Sequence, residues 1–365
     1  MNLRKFYLIL TIMMTSFLFI CGIGLMYIYE TSIKEVSANG DSGKKSLAYN
    51  LVKPMIQEST PVNILLIGGD KVAKNADTMM LINFNPMTTD MSIMSIPRDT
   101  RIHVKGSNFP KINTAYPVGG ADRTVETVCN LLGVNIKYYA YVDVNSLVKI
   151  IDKLDGVYYD VPADMDYDDP IQNLHIHLKK GYQLLDGKKS IQFLRFRKAS
   201  KSNKDVRKIY DGSDLNRELA QQNFIKELLR QKKNVKYLTK ASGIIDSVLE
   251  NLETNITASD AIKLAQNATN FKVDDIKTFT LPGTSTSMSE GKFGVISFFI
   301  PNMNDTSDII NQYFKSELGR GPTKSAADYE DYDGILNSIK SGKSLIKKNP
   351  SNSETNIKGS TKPAP

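Results

Sequence analysis

An unbroken apolar run lies near the start of the chain. Residues 6–29 contain no charged side chain, and a helix of that length, at about 1.5 Å of rise per residue, is long enough to cross a bilayer. Arg4 and Lys5 precede the run, so the positive-inside rule predicts a cytoplasmic N-terminus and an extracellular position for everything after Glu30. The alternative is a signal peptide cleaved at "VSA" (residues 36–38), but such peptides have only roughly 7–15 apolar residues. The pattern favours a single uncleaved anchor in the cell membrane.

Residues 30–60 are polar and predict a stalk, and beyond them two hydrophobic periods alternate. Short apolar runs predict strands at residues 62–67, 78–85, 91–97, 137–144, 157–162, 275–283 and 293–301. Helical periods predict helices at residues 122–133, 145–156, 185–194 and 214–231, with two more within 235–269. We therefore expect an α/β fold, a single mixed-sheet domain covered by helices over residues 61–320, behind one N-terminal transmembrane helix. Residues 321–365 predict a linker and a disordered tail.

Charge and cysteine content narrow the class of protein. The formal net charge is +8, which in a cytosolic protein would point to nucleic acid. The predicted topology excludes that partner and leaves anionic lipids and phosphorylated polymers. Cys21 falls in the predicted anchor, so we expect no disulfide to Cys129 in the outer domain. His103, His175 and His177 have no cysteine nearby, and we expect "HIH" to form a polar strand face rather than a metal site.

The helix predicted from Asp214 carries an unusual stripe. At 100° per residue, Asp214, Arg217 and Gln221 share one side, and Ile225 and Leu228 continue it. A stripe that is polar at its start and apolar further along indicates a core helix whose first turns border a cleft. Asp214 alone could equally be a helix N-cap, but that does not explain the other two polar residues.

Acidic and basic side chains occur where predicted strands meet loops. Asp70 follows "ILLIGG" and Asp77 precedes "TMML", so paired strands would bring both carboxylates to one end of the sheet. One or two carboxylates, with water and substrate phosphate, are typical of a Mg²⁺ site. Arg98 in "SIPRDT" would project towards the same region, and Lys111 lies in a loop nearby. Each residue alone is also common in ordinary turns.

The segment "IQFLRFRK" ends in two arginines and a lysine. If it is extended, Arg195 and Arg197 share one side and Leu194, Phe196 and Lys198 take the other. A solvated strand edge is the alternative. Read together with the stripe of the following helix, the segment predicts part of a phosphate site, because several arginines with a divalent ion recur in pyrophosphate binding.

Taken in order, these segments resemble the LytR-CpsA-Psr family of cell-envelope proteins over roughly residues 60–320. The matching segments are "NILLIGGD", "ADTMML", "MSIPRDT", "KINTAY", "LDGKKSIQFLRFRK" and "DLNRELAQQNFI". The resemblance implies a Mg²⁺-dependent phosphotransferase that moves an anionic glycopolymer from an undecaprenyl-pyrophosphate carrier to peptidoglycan. It also implies a hydrophobic pocket for the polyprenyl chain.

Site residues carry over from this resemblance position by position. It implies catalytic roles for Arg98, Asp70 and Asp77, with Mg²⁺ bound by the two aspartates. Asp214 would orient the cluster of arginines. The implied pyrophosphate contacts are Arg98, Lys111, Arg195, Arg197, Arg217 and Gln221.

Two departures from the family pattern and two alternative functions remain open. Many members have an arginine where this chain has Asn75, and Lys74 is the substitute at hand. Residues 199–213 form a basic insertion, which is either a solvated loop or a contact for acidic polymer or lipid headgroups.

A pyrophosphatase that releases the glycan to water would use the same residues. A non-catalytic regulator that binds the lipid carrier is the third possibility.

Overall fold

A computed structural model provides the fold. It describes residues 60–69, 75–170, 174–197, 206, 210, 212, 214–232, 241–267, 271–328, 330–341 and 345. The predicted anchor, the stalk up to residue 59, Asp70 and most of the basic insertion lie outside these residues. Within the described ranges, none of the helices has both the length and the apolar character needed to span a bilayer.

A six-stranded mixed sheet forms the centre of the fold, in the order β10-β3-β2-β1-β4-β9. Its inner strand β1 pairs antiparallel with β2 and parallel with β4, and β3 pairs parallel with β10. The strands are β1 (Val62–Gly69), β2 (Ala76–Phe84), β3 (Met91–Ser95), β4 (Tyr138–Asp143), β9 (Glu253–Thr254) and β10 (Lys277–Thr280).

Both faces of this sheet are covered, which explains the unbroken apolar runs in its strands. Successive side chains point to opposite faces: Leu65 and Ile67 enter one apolar cluster, whereas Leu66 packs against another. The first cluster also receives the hairpin of β11 (Gly283–Ser289) and β12 (Val295–Pro301).

Eight helices occur in the described residues. They are α1 (Ala115–Leu132), α2 (Val144–Lys153), α3 (Gly187–Arg195), α4 (Asp214–Lys232), α5 (Ala241–Leu249), α6 (Ala258–Asn267), α7 (Met303–Tyr313) and α8 (Tyr332–Lys340). Residues of α1, α7 and α8 pack in the first cluster, and α4 packs on the opposite face of the sheet. The Gln222 amide of α4 donates to Ser95 Oγ at 2.8 Å and to the Phe279 carbonyl at 2.7 Å, so buried hydrogen bonds fix α4 on β3 and β10.

Two small two-stranded sheets and three helices enclose a second apolar cluster beside the central sheet. β5 (Val157–Val161) pairs with β8 (Gly181–Leu185), and β6 (Met165–Asp169) pairs with β7 (Leu174–Leu178). Side chains from these strands pack with Ile151 of α2, Phe193 of α3 and Phe224 of α4. The sequence did not predict β6 and β8, because only alternate residues of these strands are apolar and no continuous run marks them.

The α/β prediction, with a mixed sheet covered by helices, is confirmed. Three local predictions need correction. Helix α1 begins at Ala115 rather than residue 122, with non-helical dihedrals at Gly119 and Gly120. Residues 332–340, predicted as linker, form α8 because Tyr332 is buried and three further apolar residues pack on the first cluster.

The third correction concerns the arginine segment. Helix α3 extends to Arg195, and Phe196 after it has extended dihedrals. The helix predicted at residues 185–194 is therefore confirmed, and the extended form considered for "IQFLRFRK" is wrong at residues 191–195. Asp186 caps the helix by accepting from the Lys189 amide. An N-cap of this kind favours helix over the extended form that an alternating apolar and basic pattern suggests.

Candidate active site

A β-bulge aims Asp77 away from the ladder of β1 and β2. Gly68 pairs with Thr78 and Gly69 with Ala76, so Asp77 is an extra residue on β2. Bulges redirect side chains and often occur beside active sites. Gly69 is required at this position, because a Cβ there would lie 2.5 Å from the Asn75 carbonyl oxygen.

Arg98 stands on a tight turn that follows β3. The Thr100 amide donates to the Pro97 carbonyl at 3.0 Å, and the Thr100 hydroxyl donates to the same oxygen at 2.6 Å. Thr100 is fully buried, which fixes the turn. The Arg98 side chain remains 27% exposed, and its Nη1 donates to Asp77 Oδ1 at 2.9 Å.

Asp99, on the same turn, binds Lys111 outside the cavity. Its ammonium pairs with Asp99 at 2.8 Å and lies 5.4 Å from the centre of the Phe298 ring. Lys111 is absent from the residues that line the cavity described below. The structure therefore separates Lys111 from the other predicted phosphate ligands, since its side chain is engaged by a carboxylate and an aromatic ring.

The end of α3 supplies two more arginines. Arg195 is the last helical residue, where a cation interacts favourably with the helix dipole. Arg197 lies two residues further on, and both line the same cavity. Phe196 between them is fully buried and meets Tyr210 edge to face at 5.1 Å. The prediction that Phe196 packs inward while both arginines share a side is confirmed, although Leu194 lines the cavity with them.

Arg217 and Gln221 lie one turn apart on α4 and are both nearly buried. Gln221 Nε2 donates to the Leu194 carbonyl at 3.2 Å, and Gln221 Oε1 accepts from the Thr78 hydroxyl at 3.5 Å. This amide thus links α4 to α3 and β2. The predicted inward stripe is confirmed for these two residues, and the side chain of Asp214 lies outside the described part of the chain.

These groups line one cavity of about 370 Å³. This volume lies within the usual range for ligand pockets. Four guanidinium groups and one carboxylate line it among the described residues. Such a site can bind a polyphosphate group through several paired N–H donors. The lining residues are Asp77, Thr78, Arg98, Tyr167, Leu174, Leu194, Arg195, Arg197, Gly212, Arg217 and Gln221.

Sequence reasoning missed the partly apolar wall of this cavity. Tyr167 of β6 and Leu174 of β7 line it from the small hairpin. The apolar–charged alternation of "MDYDD" and "LHIHL" was the available signal, because it gives each strand one inward face.

A divalent metal ion would find a suitable carboxylate in Asp77. Its side chain is 44% exposed at the cavity, with one oxygen engaged by Arg98. A single described carboxylate beside a phosphate-binding surface matches the chemistry of Mg²⁺, which takes few protein ligands and fills its shell with water and phosphate oxygens. Asp70, the other predicted ligand, lies outside the described residues.

Comparison with known proteins finds similar sequences and similar folds. A curated relative from Bacillus subtilis (strain 168), the polyisoprenyl-teichoic acid–peptidoglycan teichoic acid transferase TagV, is 30% identical over 281 residues, covering 74% of this chain and 68% of TagV. The crystal structure of B. subtilis TagV matches with a TM-score of 0.59 at 27% identity, covering 70% of this chain and 96% of that chain.

A structure of TagT bound to LIIa-WTA matches with a TM-score of 0.55 at 24% identity, covering 70% of this chain and 90% of that chain, and supports the fold alone. The model of the LytR_cpsA_psr family matches residues 23–313. This match spans β1 to α7 and includes every residue that lines the cavity. The chain therefore belongs to the LytR_cpsA_psr family.

Proposed function

We propose that this protein transfers a glycopolymer, such as teichoic acid, from a polyprenyl-pyrophosphate carrier to peptidoglycan. The observation that carries this proposal is the cavity in which Arg98, Arg195, Arg197 and Arg217 face a single described carboxylate, Asp77. The name of the relative TagV, a teichoic acid transferase that uses a polyisoprenyl donor and a peptidoglycan acceptor, supports the same reaction class.

In this proposal the cavity binds the pyrophosphate of the donor. Arginine pairs two N–H donors with two phosphate oxygens, and four arginines from three separate elements can surround a diphosphate. Gln221 hydrogen-bonds with Thr78 and with the Leu194 carbonyl, so it fixes the position of α4 relative to α3 at the binding site. Tyr167, Leu174 and Leu194 offer apolar contact to the first carbons of the polyprenyl chain.

The reaction exchanges one phosphorus–oxygen bond for another. The oxygen of a peptidoglycan sugar hydroxyl attacks the phosphorus attached to the glycopolymer, and the hydroxyl proton passes to water. The bond from that phosphorus to the bridging oxygen breaks, and polyprenyl phosphate leaves with the electron pair. In this proposal Arg98, which lines the cavity, stabilises the charge on the transferring phosphoryl group. Such a preorganised interaction lowers the barrier without solvent reorganisation.

Asp77, together with Asp70, would hold Mg²⁺. The ion, when bound, neutralises phosphate charge in the donor complex. Arg98 holds one oxygen of Asp77 at 2.9 Å and thus orients the carboxylate for a ligand on its other side. We also propose that residues 6–29 anchor the protein in the cell membrane, with the catalytic domain outside the cell and the N-terminus in the cytoplasm.

The proposal is tested with the full chain in detergent micelles. The protein is incubated with a polyprenyl-pyrophosphate glycan, peptidoglycan and Mg²⁺, and linked product is measured by mass spectrometry after muramidase digestion. We expect linkage by the wild type and its loss in Arg98→Ala. Arg230→Ala is the matched control, because Arg230 lies on α4 outside the cavity and pairs with Glu227.

Other outcomes separate the alternatives. Soluble glycan phosphate without linked product would identify a pyrophosphatase. Absence of both products, together with full biological activity of Asp77→Ala in cells, would identify a non-catalytic regulator and overturn the proposal.

A further inference from the structure

The outward face of the β6–β7 hairpin carries two aspartates and two histidines. In its register Asp166 lies opposite His177, and Asp168 lies opposite His175. Residues two apart on a strand share a face, so the four side chains form a two-by-two array. The apolar residues between them point the other way, and Met165 and Ile176 are buried.

The array is closely spaced. His175 Nδ1 lies 2.6 Å from Asp168 Oδ1, and His177 Nδ1 lies 2.7 Å from Asp166 Oδ1. His177 Nε2, the nitrogen on the other side of the ring, lies 3.4 Å from Asp168 Oδ1. One ligand atom from each of Asp168, His175 and His177 can be chosen so that all lie within 4.8 Å of one another.

We propose that Asp168, His175 and His177 bind a divalent transition-metal ion of the Zn²⁺ class. Imidazole nitrogens and carboxylate oxygens are the ligands such ions take at about 2.0–2.2 Å. Tetrahedral geometry at those bond lengths places neighbouring ligand atoms about 3.4 Å apart, as His177 Nε2 and Asp168 Oδ1 already are. The contact between His175 and Asp168 must open by roughly 1 Å, and both side chains are more than half exposed.

Asp166 gives the array a feature that ordinary cross-strand ion pairs do not need. It accepts from Nδ1 of His177 while Nε2 of the same ring faces Asp168. A carboxylate bound to the far nitrogen of a metal-binding histidine fixes the tautomer and raises the basicity of the ligand. Three protein ligands leave a fourth position for water or for a ligand from outside.

This site is separate from the phosphate cavity but shares a wall with it. None of the four side chains lines the cavity, whereas Tyr167 and Leu174, on the opposite face of the same two strands, do. A metal ion bound across β6 and β7 would therefore fasten the hairpin that forms this wall. Mg²⁺ prefers oxygen ligands, so the two sites take different metal ions.

The test uses the full chain in detergent, without a histidine tag and stripped of metal by a chelator. Zn²⁺ alone is titrated by calorimetry in excess Mg²⁺, which occupies the oxygen ligands of the cavity. We expect one equivalent of Zn²⁺ to bind and the His175→Ala/His177→Ala variant to lose it. Asp166→Asn should weaken binding by about 10–100-fold, and Co²⁺ should give the visible absorption of a tetrahedral nitrogen–oxygen site.

His103→Ala is the matched control, because His103 is the remaining histidine of the chain and lies outside the hairpin. Circular dichroism of each metal-free variant checks that it is folded. Equal Zn²⁺ affinity and stoichiometry in the double variant, or no Zn²⁺ binding by the wild type, would overturn the proposal. Neither result depends on transferase activity.

Discussion

Arg98 and Arg101 lie three residues apart on one turn, yet their surroundings are opposite. Arg98 pairs with Asp77 at 2.9 Å and lines the cavity. Arg101 pairs with Glu290 at 2.5 Å and with Glu330 at 3.0 Å, and its guanidinium lies 4.8 Å from the centre of the Phe298 ring. The first arginine lies where an anionic ligand in the cavity can meet it, whereas the second lies outside the cavity and is paired with two carboxylates.

The electrostatics of Arg101 follow from this environment. Burial by itself would lower the pKa of the guanidinium, but hydrogen bonds and charge from Glu290 and Glu330 raise it overall. The arginine therefore stays charged. Its ion pairs link Glu290, in the turn between β11 and β12, to Glu330, in the segment before α8. The comparison teaches that two arginines three residues apart can serve different ends, because the fold points one to a cavity and the other to carboxylates of distant segments.

The largest expected effect sharpens the comparison at Arg98. Arg98→Ala should lower the transfer rate by about 10²–10³-fold, because one preorganised donor to the transferring group is lost. Its free energy of unfolding should change little, since the partner Asp77 remains half exposed and hydrated. Single-turnover kinetics and urea unfolding measure the two quantities. A variant that loses stability but keeps its rate would reverse the roles assigned here.

The next effect concerns Arg101. Arg101→Ala leaves Glu290 and Glu330 facing each other with little solvent, and should lower the free energy of unfolding by on the order of 3 kcal/mol. Arg101→Ala/Glu290→Gln/Glu330→Gln should recover part of the loss, because it removes the unpaired charges. Urea unfolding of both variants is the measurement. If Arg101→Ala unfolds like the wild type, the ion-pair cluster does not stabilise the fold.

A ligand can also distinguish the two environments. Inorganic pyrophosphate should stabilise the wild type against unfolding by about 1.4 kcal/mol at ten times its dissociation constant. Arg195→Ala/Arg197→Ala should lose most of this stabilisation, whereas Arg230→Ala, outside the cavity, should retain it. Thermal unfolding with and without pyrophosphate tests this. Equal stabilisation of all three proteins would show that the anion binds elsewhere.

The smallest effect lies beside Arg101. The Tyr332 hydroxyl donates to the Arg101 carbonyl at 2.8 Å, so Tyr332→Phe should cost about 1 kcal/mol. Burial raises the pKa of Tyr332, so its neutral form is favoured in the fold. Its contribution is present below the unfolded pKa of about 10 and is lost as the pH rises above it. Between pH 8 and 11 the free energy of unfolding should fall less steeply with rising pH for Tyr332→Phe than for the wild type.

Local patterns predicted the parts of the site that depend on one element. Arg217 and Gln221 follow from helical periodicity, and Asp77 and Arg98 follow from where apolar runs end. The ladder geometry of β1 and β2 was not predictable, because the bulge at Asp77 depends on how two strands pair. The helix predicted at residues 185–194 was right, but the alternation of apolar and basic residues also suggested an extended form there, which begins only at Phe196.

Contacts between distant segments account for the rest. Glu290 lies 189 residues from Arg101 in the sequence, and nothing near "RDTR" indicates that Arg101 differs from Arg98. Lys111 was expected near the phosphate ligands, and only the folded chain shows its contact with Asp99. The pairing of two aspartates with "HIH" likewise depends on the register of β6 and β7.

Helix α8 also bears on where the chain can be trimmed for expression and crystallisation. A fragment that ends near residue 320 would keep every residue that lines the cavity and would look complete by motif alone. It would nevertheless lack Glu330 and Tyr332, which hold the side chain and the carbonyl of Arg101. The turn that carries Arg98 would then lose its support three residues away. A useful C-terminal boundary therefore lies beyond Lys340.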